Sequence, residues 1–360
     1  FEWSATPSFS HTHRNVIFKS EAVVPFPIDY IRYPDVTQLW SLLEQHCVLE
    51  DGCDAITVPH NNNLGDGMSF DVETDSDRTL DFRARYERLI EIHQQKGNSE
   101  CLAPFDDRLT SDDCSFEPYL TIRSRPKSAE DHTEEEWERS RQSYARSLLL
   151  RGLRAFDASG DLQRNPLQIG FVGSTDAHSS VPGFVEEDLW QGSVFGMGDF
   201  ARTMTRSQFN PGGLVGVWAP ENTREAIFDA MKRREVYGTS GPRIGVRFDA
   251  STNANALSCS SPDQGDPEIN MGGQFSEAST APTFRILVQP DQTPIDRIEI
   301  IKGEWTGEDL DETRMTVWNQ TDEDGQICVT WQDPEFAKGA PSFWYPRILQ
   351  QETPRWTEFM

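Results

Sequence analysis

Several histidines in this chain stand at the ends of apolar, β-branched runs, where imidazole and carboxylate groups can converge. His60 follows Ala55-Ile-Thr-Val58, and Asp176 and His178 follow Ile169-Gly-Phe-Val172. If extended geometry continues past that run, Asp176 and His178, two residues apart, share a face. His11 and His13 have the same spacing, immediately before Asn15-Val-Ile-Phe18. In parallel α/β sheets and barrels the strand C-termini open into a common mouth, and functional groups collect there. Mixed imidazole and carboxylate donors at such a mouth suit Zn2+, Mn2+ or Fe2+. A D-x-H pair or a single histidine is equally at home in a hydrogen-bonded core, and spacing alone does not separate the two roles. His46 and His132 sit on helical or loop segments and carry no signal of this kind.

The elements that must hold these groups read as alternating strands and helices up to about residue 245, the pattern of an α/β domain. Val36, Leu39, Leu42 and Leu43 recur at helical spacing between Asp35 and His46. Leu89-Ile-Glu-Ile92 is a further short strand. The pattern predicts one long helix from about Thr133 to Phe156, opened by a capping box of Thr133 and Glu136. A last helix follows Asn222 and buries Ala226, Ile227, Ala230 and Met231. Residues 101–131 form a long acidic stretch without periodicity, expected as a surface loop, and residues 250–282 read as a loop-rich insertion. Beyond it Phe284, Ile286 and Val288 alternate, as do Ile298 with Ile300 and Ile327 with Val329. The expectation is therefore two domains: residues 1–248 as the α/β domain and residues 249–360 as a β-rich accessory module of sandwich type.

Composition narrows the function classes. The 360 residues carry 33 Lys+Arg against 59 Asp+Glu, a formal net charge of −26, which argues against nucleic acid or an anionic membrane as partner. Only six of the basic residues are Lys, and such a surface suits a saline or extracellular setting. No apolar run approaches the roughly 20 residues of a membrane span. Aromatics at 11% supply enough apolar surface to offset chain entropy, which excludes a disordered chain. The six Cys fall as Cys47 with Cys53, Cys101 with Cys114, and Cys259 with Cys328 further apart; none has the C-x-x-C spacing of a zinc ribbon. At least the first two pairs are expected as disulfides, placing the chain in an oxidising compartment, periplasmic or extracellular.

Four segments in order, Phe1-Glu2-Trp3-Ser4, His13-Arg14-Asn15-Val16-Ile17-Phe18, Val58-Pro59-His60-Asn61 and Gly173-Ser174-Thr175-Asp176-Ala177-His178, resemble successive metal motifs of the PHP (polymerase and histidinol phosphatase) superfamily. The stretch Glu221 to Arg243 resembles the closing helix and strand of a bacterial PHP-like branch known as a domain of unknown function. The resemblance implies an α/β fold, a partial distorted (β/α)7 barrel with the β-sandwich-like module appended. It implies a metal set of Glu2, His13, His60, Asp176 and His178 holding two to three divalent ions, Zn2+ or Mn2+ with Fe2+ as a third choice. His11 falls off the motif as a neighbour. His93 matches no ligand position and is expected to line the mouth or the surface.

The activity so implied is metal-dependent hydrolysis, most simply of a small anionic phosphate ester. Asp176 or His60 would orient the attacking water. Arg14, Lys96 and Arg243 lie near motif positions as contacts for an anionic substrate, with Asn61 beside them, or are surface cations of an acidic protein. Asn61 and Asn63 either orient the ligands or cap the turn after the strand. Glu91 and Glu100, flanking the Lys96 loop, are expected as solvated pairs. Two alternatives stay open: a carboxylic or carbamic ester hydrolase using the same site, and a secreted non-catalytic binding or structural protein retaining a remnant barrel. The superfamily's H-x-H and Asp-His motifs would precede Phe1. An N-terminal fragment or a partner chain is therefore expected to complete the barrel.

Overall fold

A computed structural model describes residues 1–360 except 71, 73, 112, 120, 123–124, 127–128, 160–164, 191, 193–208, 254–255, 261–266, 276–277, 320–324 and 357–360. Its N-terminal part opens with three antiparallel strands in the order β1 (Glu2–Trp3), β2 (Arg14–Phe18) and β3 (Ala55–Pro59). Between β2 and β3 the chain makes α1 (Val36–His46), started by a capping box of Asp35 and Gln38. Leu39, Trp40 and Leu43 of α1 pack under the sheet with Trp3, Val16, Phe18 and Ala55, joined by Phe82 and Tyr86 of α2 (Asp77–Tyr86).

A second sheet orders β5 (Gly97–Asn98), β4 (Leu89–Gln94) and β8 (Gly170–Gly173), with β6 (Thr121–Ile122) and β7 (Arg125–Pro126) forming a separate small ribbon. The β4–β8 pairing is parallel. β9 (Leu214–Val217) pairs antiparallel with β10 (Val236–Thr239), and α5 (Arg224–Arg233) connects them. One core ties these sheets together through Ile56 and Val58 of β3, Leu89 of β4, Val172 of β8, Phe228 of α5 and Val236 of β10.

The expected partial (β/α)7 barrel is not what these residues build. Among the described residues the strands fall into small, mostly antiparallel sheets, and no closed barrel forms. The reason lies in the β2–α1–β3 connection. Strand–helix–strand alternation suggests a parallel crossover, yet here the chain returns alongside β2 in the opposite direction, Arg14 facing Pro59 and Phe18 facing Ala55. The long helix also divides, into α3 (Glu134–Arg141) and α4 (Ala145–Ser159). The Thr133–Glu136 capping box is present. The break occurs where the amides of Ala145 and Arg146 turn to the carbonyls of Ser99 and Glu100, so tertiary hydrogen bonds replace a continued helix.

Among its described residues the C-terminal part forms two three-stranded antiparallel sheets. One orders β11 (Gly245–Ser251), β12 (Thr283–Gln289) and β15 (Ile327–Gln332); the other orders β14 (Leu310–Trp318), β13 (Ile295–Trp305) and β16 (Ser342–Gln350). The alternating Phe284, Ile286 and Val288, with Ile327 of the same sheet, share one core with Ile298 and Ile300 of the other. The expected boundary at 248/249 falls inside β11. Phe343 and Tyr345 of β16 pack against the cluster that includes Ile90 of β4 and Ala145, Leu148 and Leu149 of α4, anchoring this module to the N-terminal part.

Three disulfides, Cys47–Cys53, Cys101–Cys114 and Cys259–Cys328, take up all six cysteines, the pairing read from the sequence. Such bonds persist in oxidising compartments. Among the described residues no helix is long and apolar enough to cross a membrane.

Candidate functional site

Register gathers the first group of site residues. Glu2 of β1 faces Asn15 of β2, and Asn15 faces Val58 of β3. Side chains alternate between faces with period two, so Glu2, Asn15, His13 and His60 lie on one side of this sheet and Trp3 and Arg14 on the other. His13 just precedes β2 and His60 just follows β3. These are the same end of an antiparallel pair, clipped by the His60 amide donating to the His13 carbonyl at 3.2 Å.

On that side Glu2 Oε1 lies 3.0 Å from His13 Nδ1, and Glu2 Oε2 lies 3.7 Å from His60 Nε2. Glu2, His13 and His60 each present a ligand atom, all within 4.8 Å of one another. Asn15 meets His60 Nδ1 at 3.2 Å. The Asn15 atom in this contact is the amide nitrogen Nδ2, which donates to Nδ1; a ligand on Nε2 with the proton on Nδ1 would require the Asn15 amide to turn so that its oxygen accepts there. The Nε2 atom of His13 is buried without a hydrogen-bond partner. A divalent ion fits this donor set, because two imidazoles and a carboxylate are an ordinary zinc or manganese combination and a buried orphan nitrogen wants a partner. A second group of close donors among the described residues, Cys101, Asp113 and Cys114, is excluded because both sulfurs form a disulfide.

The electrostatics keep these donors in ligand form. Burial alone would raise Glu2, but the hydrogen bonds from His13 and Ser4 and the neighbouring His60 bring its carboxyl down to about 2. Burial lowers His60 to about 4 against the opposing pull of Glu2 and Asp176. His11 is likewise lowered to about 4, chiefly by burial and then by His13 and Lys96. Its ring lies 5.0 Å from that of His13, outside the group of converging donors.

Asp176 and His178, also expected as ligands, lie outside this group of converging donors. β8 ends at Gly173, and both residues lie in the following loop with left-handed backbone, φ 46° and 56°. The expected shared strand face is therefore absent. What joins them is a direct contact of 3.0 Å from His178 Nε2 to Asp176 Oδ1. Non-glycine residues held at positive φ store strain and cluster at functional sites. The other Asp176 oxygen pairs with the Lys96 ammonium, from the turn after β4. Desolvation raises the Asp176 carboxyl, and Lys96, His60 and His178 outweigh it, so the net direction is down.

Asn61, itself left-handed at φ 63°, accepts from the Gln94 amide. Asn63 donates to the Lys96 carbonyl at 2.7 Å, so the Asn run ties the end of β3 to the end of β4. Asn61 thus stands as a bridge between elements.

Three other expected positions lie elsewhere. Arg14, on the opposite face from His13, is buried and donates to Glu87 at 2.5 Å and to the carbonyls of Thr12 and Ser69, with Trp3, Trp40 and Phe70 around its guanidinium. It is a core cation, since its neighbour's face is the functional one. Arg243 is exposed and pairs with Glu186 at 2.9 Å. His93 is buried beside Glu117 at 3.3 Å and lines a cavity of about 2130 Å³ between the N-terminal and C-terminal parts. None of the five expected metal ligands lines that cavity.

Glu91 and Glu100 are not solvated pairs. Glu100 is enclosed by Arg146, Arg347 and the Tyr345 hydroxyl. Glu91 is buried on β4 and accepts from Ser174 at 2.5 Å, while its other oxygen lacks a hydrogen-bond partner. Burial pushes the Glu91 carboxyl up to about 8, Ser174 opposes and Asp176 adds. The sequence signal was its setting: a single charge inside Leu89-Ile-Glu-Ile92, an apolar run typical of a strand covered on both faces.

The chain belongs to the family described as "Protein of unknown function (DUF3604)", which it matches over residues 1–319 and 306–360. No curated protein and no solved structure matches it.

Proposed function

We propose that this protein is a metal-dependent hydrolase of a small anionic ester, a phosphate ester before others, working in a periplasmic or extracellular setting. The observation that carries the reading is the convergence of Glu2, His13 and His60 on one sheet face, with a buried imidazole nitrogen left unpartnered. The order of the motifs, similar to that of the PHP superfamily, supports it. So do the three disulfides and the acidic surface for the setting.

Glu2, His13 and His60 would hold the ion, with Asn15 fixing the His60 ring. A divalent ion there supplies Lewis acidity that polarises the ester and eases deprotonation of the attacking water. Asp176 orients His178, whose exposed imidazole is placed to exchange a proton with solvent or a leaving group. Lys96 contributes positive charge toward an anionic ester.

The test is hydrolysis of p-nitrophenyl phosphate, bis-p-nitrophenyl phosphate and p-nitrophenyl acetate by chelator-treated protein, with and without Mn2+ or Zn2+. Metal-dependent turnover of a phosphate ester is expected, and His13→Ala should cost more than the roughly 10–100-fold typical of losing an outer-shell partner. Turnover of the acetate alone would move the reading to carboxylic esters. No metal-dependent turnover of any of the three would refute it.

A further inference from the structure

The two halves of the site are not equivalent as cation holders. Glu2, His13 and His60 converge with donor atoms aimed at one another. Asp176 is already engaged on both oxygens, Oδ1 by His178 and Oδ2 by the Lys96 ammonium. Lys96 is not a loose surface cation. Its ammonium also meets Gln94 Oε1 at 3.1 Å, its amide donates to the same oxygen at 3.1 Å, and Asn63 holds its carbonyl at 2.7 Å. The side chains of Lys96 and Asp176 are only 13% and 15% exposed. Gln95 donates to the Asp176 carbonyl, fixing the partner as well.

An ammonium held between a carboxylate oxygen and an amide oxygen occupies the kind of oxygen-lined position a divalent ion would take. We infer that Lys96 stands in place of a second metal ion, so that the centre built by Glu2, His13 and His60 holds a single divalent cation with a fixed ammonium beside it. This rests on the metal-binding reading given above.

Charge balance agrees. Glu2 and Asp176 bring two negative charges, and burial keeps Glu91 largely protonated at neutral pH. With Lys96 present, one divalent ion leaves the site with a single positive charge, suited to an anionic ester. A second ion would leave three positive charges in a partly buried space, at large electrostatic cost. Three protein ligands around one ion also leave an open position, as catalytic rather than structural centres do.

The experiment is equilibrium dialysis of the full chain against Zn2+ and, separately, Mn2+, with bound metal counted by plasma mass spectrometry. Wild type is expected to bind about one ion per chain, Lys96→Gln about two because the Asp176 carboxylate is released, and Lys96→Arg about one. About two ions in wild type, or no gain in a folded Lys96→Gln variant, would overturn the inference while leaving the metal reading intact. No bound ion in wild type would overturn both. The wild-type count decides even if Lys96→Gln fails to fold.

Discussion

Replacing Glu91 by Gln should make the protein more stable in alkali than in acid relative to wild type. Glu91 is fully enclosed on β4 and its carboxyl is pushed from 4.5 up to about 8, mainly by burial. A group whose folded pKa is raised contributes stability that is fully present below its unfolded pKa and is lost as pH rises through the folded value. The window is therefore pH 4.5 to 8, with stability falling as pH rises. Integrating the two titrations from pH 5 to pH 9 gives about 3–5 kcal/mol of lost stability from this one group. Glutamine is close in shape, keeps an acceptor for Ser174 and cannot ionise, so the variant lacks this slope. For 360 residues at an unfolding entropy of about 2 cal/mol/K each, the difference amounts to roughly 4–7 °C in melting temperature.

The assay is thermal or urea unfolding of chelator-treated wild type and Glu91→Gln at pH 5 and pH 9. The quantity compared is the pH-induced change in the variant minus that in wild type, in which other titrating groups cancel. Equal pH dependence in both proteins would show that Glu91 is not held protonated, and the reasoning from burial would fall.

Four further outcomes follow from the same contacts. Glu2→Gln and His13→Ala should abolish most metal binding by dialysis yet lower stability by no more than about 1 kcal/mol, because the pair is partly exposed. Arg146→Met should cost about 1–3 kcal/mol in urea unfolding, since it removes one of the guanidinium partners of Glu100 and Asp113 while Arg347 still meets both; an unchanged midpoint would show Arg146 to be dispensable to the network. Thiol titration of the denatured, unreduced protein should find no reactive cysteine, and removing Cys259–Cys328, which closes a separation of 69 residues, should cost about 4 kcal/mol by the chain-entropy argument. On the acid side, His60 is lowered from 6.5 to about 4, so stability should fall as pH drops across that window; a His60→Gln variant should lack that part of the fall.

Local periodicity made much of the secondary structure legible. The runs Ala55–Val58, Leu89–Ile92 and Ile169–Val172 all lie on strands or their edges, and the alternation in Phe284–Val288 marks β12. Spacing in the sequence also brought the cysteine pairs together correctly. What it left open was strand direction, because a helix between β2 and β3 is compatible with either sense and only the pairing Arg14 to Pro59 reveals which one forms. Parity is legible in the sequence: Arg14 adjoins His13, so a strand that aims one at the site must aim the other into the core. The left-handed backbone at Asp176 and His178 leaves only a weak signal in residue type: Asp and His tolerate it better than most non-glycine residues, without requiring it. It depends on contacts with Gln95 and Lys96, some 80 residues earlier in the chain.

The placement of cations explains why charge composition misled about individual residues while describing the whole. A chain at −26 invites the reading of each Arg or Lys near a motif as a lure for an anionic substrate. Instead much of the positive charge is spent inside. Arg14 and Arg83 share Glu87, Arg285 meets Asp249, Lys302 meets Asp333, and Arg146 meets Glu100 and Asp113. Removing either partner leaves a buried charge uncompensated, so such pairs lock the geometry of the elements that carry them even where their net contribution to stability is small. Arg14 and Arg83 fix β2 against α2, and Arg146 fixes α4 against β16. With the interior cations consumed this way, the surface keeps its acidity, and the cation left beside the proposed centre is Lys96, on a turn shaped by Gly97 at φ 83° whose Cβ would collide with the Glu117 carbonyl at 2.2 Å. A side chain at position 97 would displace that turn and the ammonium with it, so the same geometry that excludes bulk there holds Lys96 on Asp176.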